Sequence, residues 1–461
     1  MKYAQQSPKF KGLHDVLAEV FADPQVRLAL RHDMIPADSQ AAWNGCPALP
    51  ALVTGCLAVV RRLMGWSYRT LAEQVEMSFG WRWVCQLYSQ PMPNFRTIRD
   101  REALLSAKTL RLINRKVILL GRALGVTAAQ KLRLDSSVIE TNIHYPTDSS
   151  LLADAGRVFS RLIVEARQLI KRRAESEQQW FRDRHRQARR LARDIARLAS
   201  KKAKNTGKSS FKLYAQLIGL VAQLLEQVAY VQKRLATFNS PTVERIQAMF
   251  NHYTPLVQQV VAQARRRVLE GQPVPAPEKL VSLFEPHTSI IVRGKAGPKA
   301  TEFGHKVWYA EVEGGLIADY RVLHGNPPDA LEVIPSVRHH RRLFGKAPRE
   351  LSGDRGLYSP DNETEARRLG VRRVSLPKPG YKSKQRKRRE HQTWFRAAQR
   401  FRNGIEGRIS QLRRARMLHR CFNHGWAGLE RWLGWGIVAN NIAIIVMKLN
   451  QWQVSLAETL C

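Results

Sequence analysis

The chain reads as an α/β protein: a mixed sheet flanked by helices, preceded by an all-helical N-terminal domain and interrupted by an all-helical insertion. Three observations predict this. Apolar residues recur at three- and four-residue spacing from residue 12 to about 128, and again from about 149 to 270. A strand-like alternation begins at Lys131 and resumes near Ser289. From there strands alternate with helices through short connections.

Within the first block, Leu13–Val20, Leu52–Met64, Tyr68–Glu76 and Ile98–Leu124 carry the helical period, punctuated by Pro24, Pro36, Pro47, Pro50, Pro91 and Pro93. The segments Ser67–Val75 and Pro93–Asp100 suit either a DNA-reading helix pair or a plain bundle with Arg69, Arg96 and Arg99 on its wet face. Leu132-Arg-Leu-Asp-Ser-Ser-Val-Ile-Glu140 alternates as a half-buried strand does. Arg-rich helices are then expected at Arg157–Gln179, Trp180–Ala199, Phe211–Phe238 and Val243–Leu269, with a polar break over residues 201–210. Strands follow at Ser289–Val292, Phe303–Glu313 and Gly315–His324, a helix at Asp329–Leu343, and strands at Ala347–Ser352 and Val371–Leu376. The closing helices are Thr393–Arg414 and Gly425–Gln451. The predicted domains are therefore 1–128, then 129–148 joined to 283–461, with 149–282 inserted.

Charge narrows the function. Of 461 residues, 76 are Lys or Arg and 38 Asp or Glu, a formal net charge of +38 spread along the chain. Such a surface repels itself unless it meets a polyanion, and nucleic acid is the usual one. With 44% hydrophobic residues the chain has material for a real core. The five cysteines, Cys46, Cys56, Cys85, Cys421 and Cys461, form no CxxC pair, which predicts a reduced, cytoplasmic protein without a zinc site. Residues 1–11 lack an apolar core for a secretion signal. The most apolar stretch, Gly434–Leu449, holds Asn440 and Asn441 at its middle and reads as a buried helix, not a membrane span.

Against this basic background three acids stand out: Asp135, Asp354 and Glu406. Asp135 is centred on the first strand with small neighbours, Ser136 and Ser137. Asp354 lies in Gly353-Asp-Arg-Gly356, where a strand ends. Glu406 lies on a helix within Arg402-Asn-Gly-Ile-Glu-Gly-Arg-Ile-Ser410. Each has a purely local reading: a turn cap, a glycine turn, and an ion pair with Arg402 at helical spacing. An unpaired aspartate in mid-strand is expensive, however. Carboxylates converging from different elements are what two-metal phosphodiester chemistry needs.

The segments Leu134-Asp-Ser-Ser-Val-Ile-Glu-Thr-Asn-Ile-His-Tyr-Pro-Thr-Asp148, Leu283-Phe-Glu-Pro-His-Thr288, Gly353-Asp-Arg-Gly356 and Asn403-Gly-Ile-Glu-Gly407 resemble those of bacterial insertion-sequence transposases of the DDE class. The similarity is to the ISNCY group, with a helical insertion after the first catalytic strand. The resemblance implies an RNase H-like catalytic domain with Asp135, Asp354 and Glu406 as its metal-holding triad. It further implies two Mg2+ ions, with Mn2+ as a substitute. The expected substrates are double-stranded DNA, both the element's terminal repeats and a target, bound by a homodimer, with the N-terminal helices engaging the DNA ends. The implied reaction is hydrolysis at the element end, then attack of the freed 3′ hydroxyl on target DNA. Related proteins carry a tyrosine, arginine, glutamate and lysine pattern. Here Arg402 fits the arginine, Arg413 stands for the lysine, and Gln399 departs from the tyrosine.

The run from Lys378 to Arg389 holds seven bases and no acid, which makes Lys382, Lys384, Arg386, Lys387, Arg388 and Arg389 candidate DNA contacts beside Arg402 and Arg413. Gly207-Lys-Ser209 lacks the leading glycine of a phosphate loop, so no nucleotide is expected. His144, His287, His305 and His324 read as structural, and Trp426 and Trp432 as packing aromatics. The expected location is the cytoplasm, at the nucleoid. The alternative readings are an RNase H-like nuclease or resolvase without strand transfer, and a catalytically silent DNA-binding protein.

Overall fold

Side-chain caps start most of the N-terminal helices. In the computed structural model, which describes residues 7–35, 49–170, 175–200, 206–292 and 301–460, these are α1 (Pro8–Ala22), α2 (Pro24–Met34), α3 (Ala51–Met64), α4 (Tyr68–Met77), α5 (Phe79–Val84), α6 (Phe95–Leu104) and α7 (Ala107–Ala123). Asp23, Ser67, Ser78, Asn94 and Ser106 each accept a hydrogen bond from a backbone N–H of the first turn that follows. The cap at Ser106 divides what the periodicity predicted as one helix over Ile98–Leu124. The candidate DNA-reading segments become α4 and α6, with α5 between them in the chain. Arg69 of α4 lies over the Phe95 ring of α6 at 4.8 Å, and Arg69, Arg96 and Arg99 are exposed.

The chain divides into two compact units, residues 1–142 with 304–461, and residues 143–303. The expected boundary near residue 128 is not a division of the fold. Leu17, Leu57 and Ile113 from the N-terminal helices share one apolar core with Leu132, Trp308 and Leu351 of the sheet and Trp435 of the last helix. The amphipathic faces of α1, α3 and α7 find their burial against the sheet and the last helix, so these helices belong to the same unit.

The second unit is helical: α8 (Asp148–Leu169), α9 (His185–Ser200), α10 (Thr206–Leu235) and α11 (Pro241–Ala264) close on Phe159, Leu224 and Phe250. Its bounds are wider than the expected 149–282. The α8 helix begins and ends earlier than the apolar pattern indicated, because Thr147 caps it and exchanges hydrogen bonds with Ser150. Of the polar break predicted at 201–210, residues 206–210 are helical and 201–205 lie outside the described residues.

The sheet comprises β1 (Lys131–Thr141), β2 (Ser289–Val292), β3 (Thr301–Val312), β4 (Ile317–Val322), β5 (Glu350–Ser352), β6 (Arg373–Ser375) and β7 (Arg420–Cys421). Its order is β2-β3-β1-β5-β6, with β4 on β3 and β7 on β1. The β3 strand runs antiparallel to β1 and β4, and β5, β6 and β7 extend the sheet in parallel. The fold is thus a mixed open sheet among helices, as the sequence predicts at that level. Four helices complete it: α12 (Val333–Phe344), α13 (Pro360–Arg368), α14 (Lys384–Glu390) and α15 (Thr393–Ala415), followed by α16 (Gly425–Leu460).

Gly425–Gln451 within α16 is long and apolar enough to cross a membrane, with mean hydropathy 1.4, but 78% of its most apolar stretch is buried. Asn441 makes that burial specific. Its Oδ1 accepts from the Ile317 N–H at 2.9 Å, and its Nδ2 donates to the Ile317 carbonyl at 3.0 Å and to Asn114 Oδ1 at 2.8 Å. An amide in an apolar helix is stable where it completes backbone bonds that a neighbouring strand leaves open.

Candidate active site

The strand register brings the two aspartates together. The β5 strand pairs with β1 only through Arg133 opposite Ser352. Continued two residues further, the register sets Asp135 level with Asp354, where adjacent strands lie about 5 Å apart. The β7 strand meets the same edge of β1 only from Glu140. Between these contacts that edge of β1 has no strand partner among the described residues. Asp135 therefore lies on β1 just beyond the carboxyl end of β5.

Backbone geometry holds Asp354 in place. Its carboxylate accepts from the Leu357 N–H at 3.2 Å and caps a short 3-10 turn, Arg355–Leu357. A Cβ on Gly353 would stand 2.4 Å from Leu357 Cδ1 and 2.9 Å from Leu376 Cδ2, so a side chain there would have to displace both leucines. The glutamine at the tyrosine position has a defined task. Gln399 Nε2 donates to the Ser375 carbonyl and hydroxyl, both at 2.9 Å, and to the Gly353 carbonyl at 3.3 Å. It ties α15 to the ends of β5 and β6 beside Asp354.

The helix carrying Glu406 is seated by its apolar stripe, Phe395, Ala398, Ile405 and Leu412, and by a buried charge cluster. Glu311, wholly buried, accepts from Arg133 Nε at 2.8 Å and Nη2 at 2.6 Å, and from Arg408 Nε at 3.3 Å. Arg133 also donates to the Phe401 carbonyl of α15 at 2.5 Å. A Cβ on Gly404 would meet Arg133 Nη1 at 2.3 Å. The glycine before Ile405-Glu406 thus makes room for the arginine beneath the helix.

Glu406 itself flanks that stripe, and its side chain is 68% exposed. It does not meet the aspartates directly. Arg402 joins them: Nη2 lies 3.3 Å from Asp135 Oδ2, and Nη1 lies 3.0 Å from Glu406 Oε1. The helical-spacing ion pair is present, and the same guanidinium also reaches Asp135.

Burial, helped by the nearby charges of Asp354 and Asp329, raises the Asp135 carboxyl to about 6 against the pull of Arg402 and the Ser136 N–H. Asp329 is a fourth acid that the sequence reading missed. It accepts from the Ser136 hydroxyl at 3.0 Å and pairs with Lys306 at 2.9 Å. Its place after Pro327-Pro328 resembled an ordinary helix start, and only folding sets it against Ser136, on the face of β1 opposite the Asp135 side chain, where its charge still acts on Asp135.

The oxygen donors of Asp135 and Asp354 suit a hard divalent cation, since the charge of Asp354 adds to the cost of ionising Asp135 and a guanidinium already sits against the latter. Among the described residues, no three His, Cys, Asp or Glu side chains form a group that would hold a metal. Glu406 stands apart by the width of the Arg402 head.

The basic run divides into two sets. Arg386 is held by Glu363 at 2.8 Å, Glu390 at 2.7 Å and the Leu376 carbonyl. Arg389 pairs with Glu363 at 3.1 Å, and Lys382 with Glu390 at 2.6 Å. These three bases fasten α14 to its surroundings, while Lys384, Lys387 and Arg388 are exposed. Arg413 lies close enough to the buried Tyr309 hydroxyl to act on its charge.

His144 faces Asp154 at 3.6 Å and His287 pairs with Glu285 at 2.8 Å, both within the helical unit. His324 stacks on Trp426 at 4.0 Å, with His305 at its edge, and Arg62 lies 3.9 Å over Trp432. No protein-family model, curated protein or solved structure matches this chain.

Proposed function

We propose that this protein is a DNA transposase of the DDE type, which cuts the ends of its element and joins the freed 3′ hydroxyl to target DNA. The observation that supports the reading is the nearness of Asp354, just past the carboxyl end of β5, to Asp135 in the middle of the parallel strand β1, with Arg402 of the helix that presents Glu406 lying against Asp135. Open α/β sheets bind ligands at such ends. The net charge of +38 supplies the attraction for a polyanion.

In this reading Asp135 and Asp354 hold divalent metal, and Glu406 joins them when Arg402 turns outward to a phosphate. Bound Mg2+ supplies charge stabilisation to the attacking and leaving oxygens. The chain's own groups do the positioning. Asp354 is fixed by its turn, Asp135 by the strand, and α15 by Gln399 and the Glu311 cluster. Arg402 neutralises the acids in the absence of DNA and offers a fork that suits phosphate oxygens.

The test is cleavage of a labelled duplex carrying the element's end, with Mg2+, by the full chain and by Asp135→Asn, Asp354→Asn and Glu406→Gln. Each variant is expected to lose cleavage and strand transfer while end binding stays within severalfold. Equal loss of binding and cleavage contradicts the assignment. Joined products from precut ends separate a transposase from a nuclease that cannot rejoin. The separation of Glu406 from the aspartates favours one second reading, a DNA-binding protein without catalysis. In that case wild type and variants bind alike and none cuts.

A further inference from the structure

A basic groove lies elsewhere in the unit that holds the acids. A cavity of about 1050 Å³ opens between β4, α12 and the start of α16, lined by Arg321, Arg338, Arg341, Arg342, His324 and Trp426. A second cavity of about 610 Å³ shares Arg341, Gly345 and Leu369 with it, and continues past Lys346 and Arg349 to Arg372.

Some of this charge is already neutralised. Arg321 is held by Asp319 and Glu332, Arg111 by Glu430, and Arg338 and Arg368 by Glu365. Arg341, Arg342, Lys346, Arg349 and Arg372 are exposed and have no ion pair among the described residues. Four of these five are arginines, whose planar fork matches phosphate oxygens. Like charges gathered along one continuous groove are costly unless a polyanion lies in it.

The groove is far from the carboxylates. Arg349 precedes β5 and Asp354 follows it, a separation of roughly 16 Å along an extended strand. The faces differ as well. Arg321 pairs across the sheet with Trp308 and through it with Ser136, whereas Asp135 pairs with Tyr309 and Tyr320. Cross-strand partners share a face and successive residues alternate, so Arg321 and Asp135 lie on opposite faces. A strand held at the acids does not run along this groove.

We infer that the groove binds the phosphate backbone of a second stretch of duplex DNA, separate from the strand at Asp135 and Asp354. The inference rests on the reading above for naming DNA as the polyanion, but not on catalysis by the acids.

The test measures binding of the full chain to a labelled duplex of about 30 base pairs across a salt series, where each phosphate contact contributes a slope of about 0.9. With Arg341, Arg342, Lys346 and Arg349 all changed to Ala, the slope is expected to fall by about 2 to 4 and Kd to rise more than tenfold. Arg341→Lys, Arg342→Lys and Arg349→Lys together should keep the slope, which separates charge from damage to the fold. A four-Ala variant that melts like wild type and keeps its slope within about one unit overturns the proposal. So does a groove occupied by a small polyphosphate instead: tripolyphosphate would then raise the melting temperature of wild type but not of the variant, with DNA binding unchanged. If the slope falls as expected but wild type never cuts DNA with Mg2+, the groove stands and the catalytic reading fails.

Discussion

Arg402 lies against Asp135, Nη2 to Oδ2 at 3.3 Å, and by this contact α15 reaches the carboxylate of the first strand. It puts a permanent cation where burial and two neighbouring acids disfavour negative charge. Arg402→Ala removes the first-ranked influence that lowers the Asp135 pKa, so this carboxyl should titrate further above 6. Carboxyl carbon NMR on the metal-free chain measures it, and an unchanged or lower value refutes the contact.

The raised Asp135 pKa fixes the sign of a stability effect. A carboxyl ordinarily near 3.8 and raised to about 6 binds its proton more tightly in the folded chain. Its contribution is most favourable below pH 3.8 and is lost as pH climbs through 6. Asp135→Asn removes that penalty and is expected to raise stability at neutral pH by about 1 to 3 kcal/mol, with little difference in acid. Denaturant melts at both pH values decide it. Mg2+ should raise the melting temperature of wild type and not of Asp135→Asn, a readout independent of cleavage.

The two N–H groups of Gln399 Nε2 are shared among three acceptors at the strand ends beside Asp354. Gln399→Glu sets an acceptor against two carbonyls and should cost about 2 to 3 kcal/mol, with loss of activity at temperatures where the chain remains folded. A variant as stable and active as wild type would show that the clamp holds nothing.

The Arg133–Glu311 pair is buried beneath α15. Arg133→Met leaves Glu311 with Arg408 alone and should destabilise by about 3 to 5 kcal/mol, as breaking one side of a buried pair does. Gly404→Ala should also lower the melting temperature, even though alanine is the better helix former by about 1 kcal/mol. A rise would mean that Arg133 moves aside freely.

The bases of α14 should separate by role. Arg386→Ala is expected to reduce stability, because this side chain bridges Glu363 and Glu390. Changing Lys384, Lys387 and Arg388 to Ala should leave the melting temperature unaltered and flatten the salt dependence of DNA binding by about 2 to 3 in slope. The reverse pattern refutes the division.

Much of the arrangement was legible in the chain. Asp135 announced itself because an acid interrupts an apolar alternation, and Asp354 because glycines bracket it at a strand end. Glu406 was placed on its helix by the surrounding period, and the local pair with Arg402 follows from four-residue spacing. The sheet and the helical insertion followed from the change of period, since two and 3.6 residues per repeat leave different traces.

The three-dimensional contacts decided the rest. No local signal told that the N-terminal helices share a core with the sheet, because an amphipathic face records that it is buried but not against what. Nor did spacing reveal Asp329 against Ser136, Gln399 on the Ser375 and Gly353 backbone, or Arg386 and Arg389 turned inward to Glu363. The sequence determined which side chains carry charge and which faces seek burial. Only strand register and helix docking, which join residues more than a hundred positions apart, decided which charges meet.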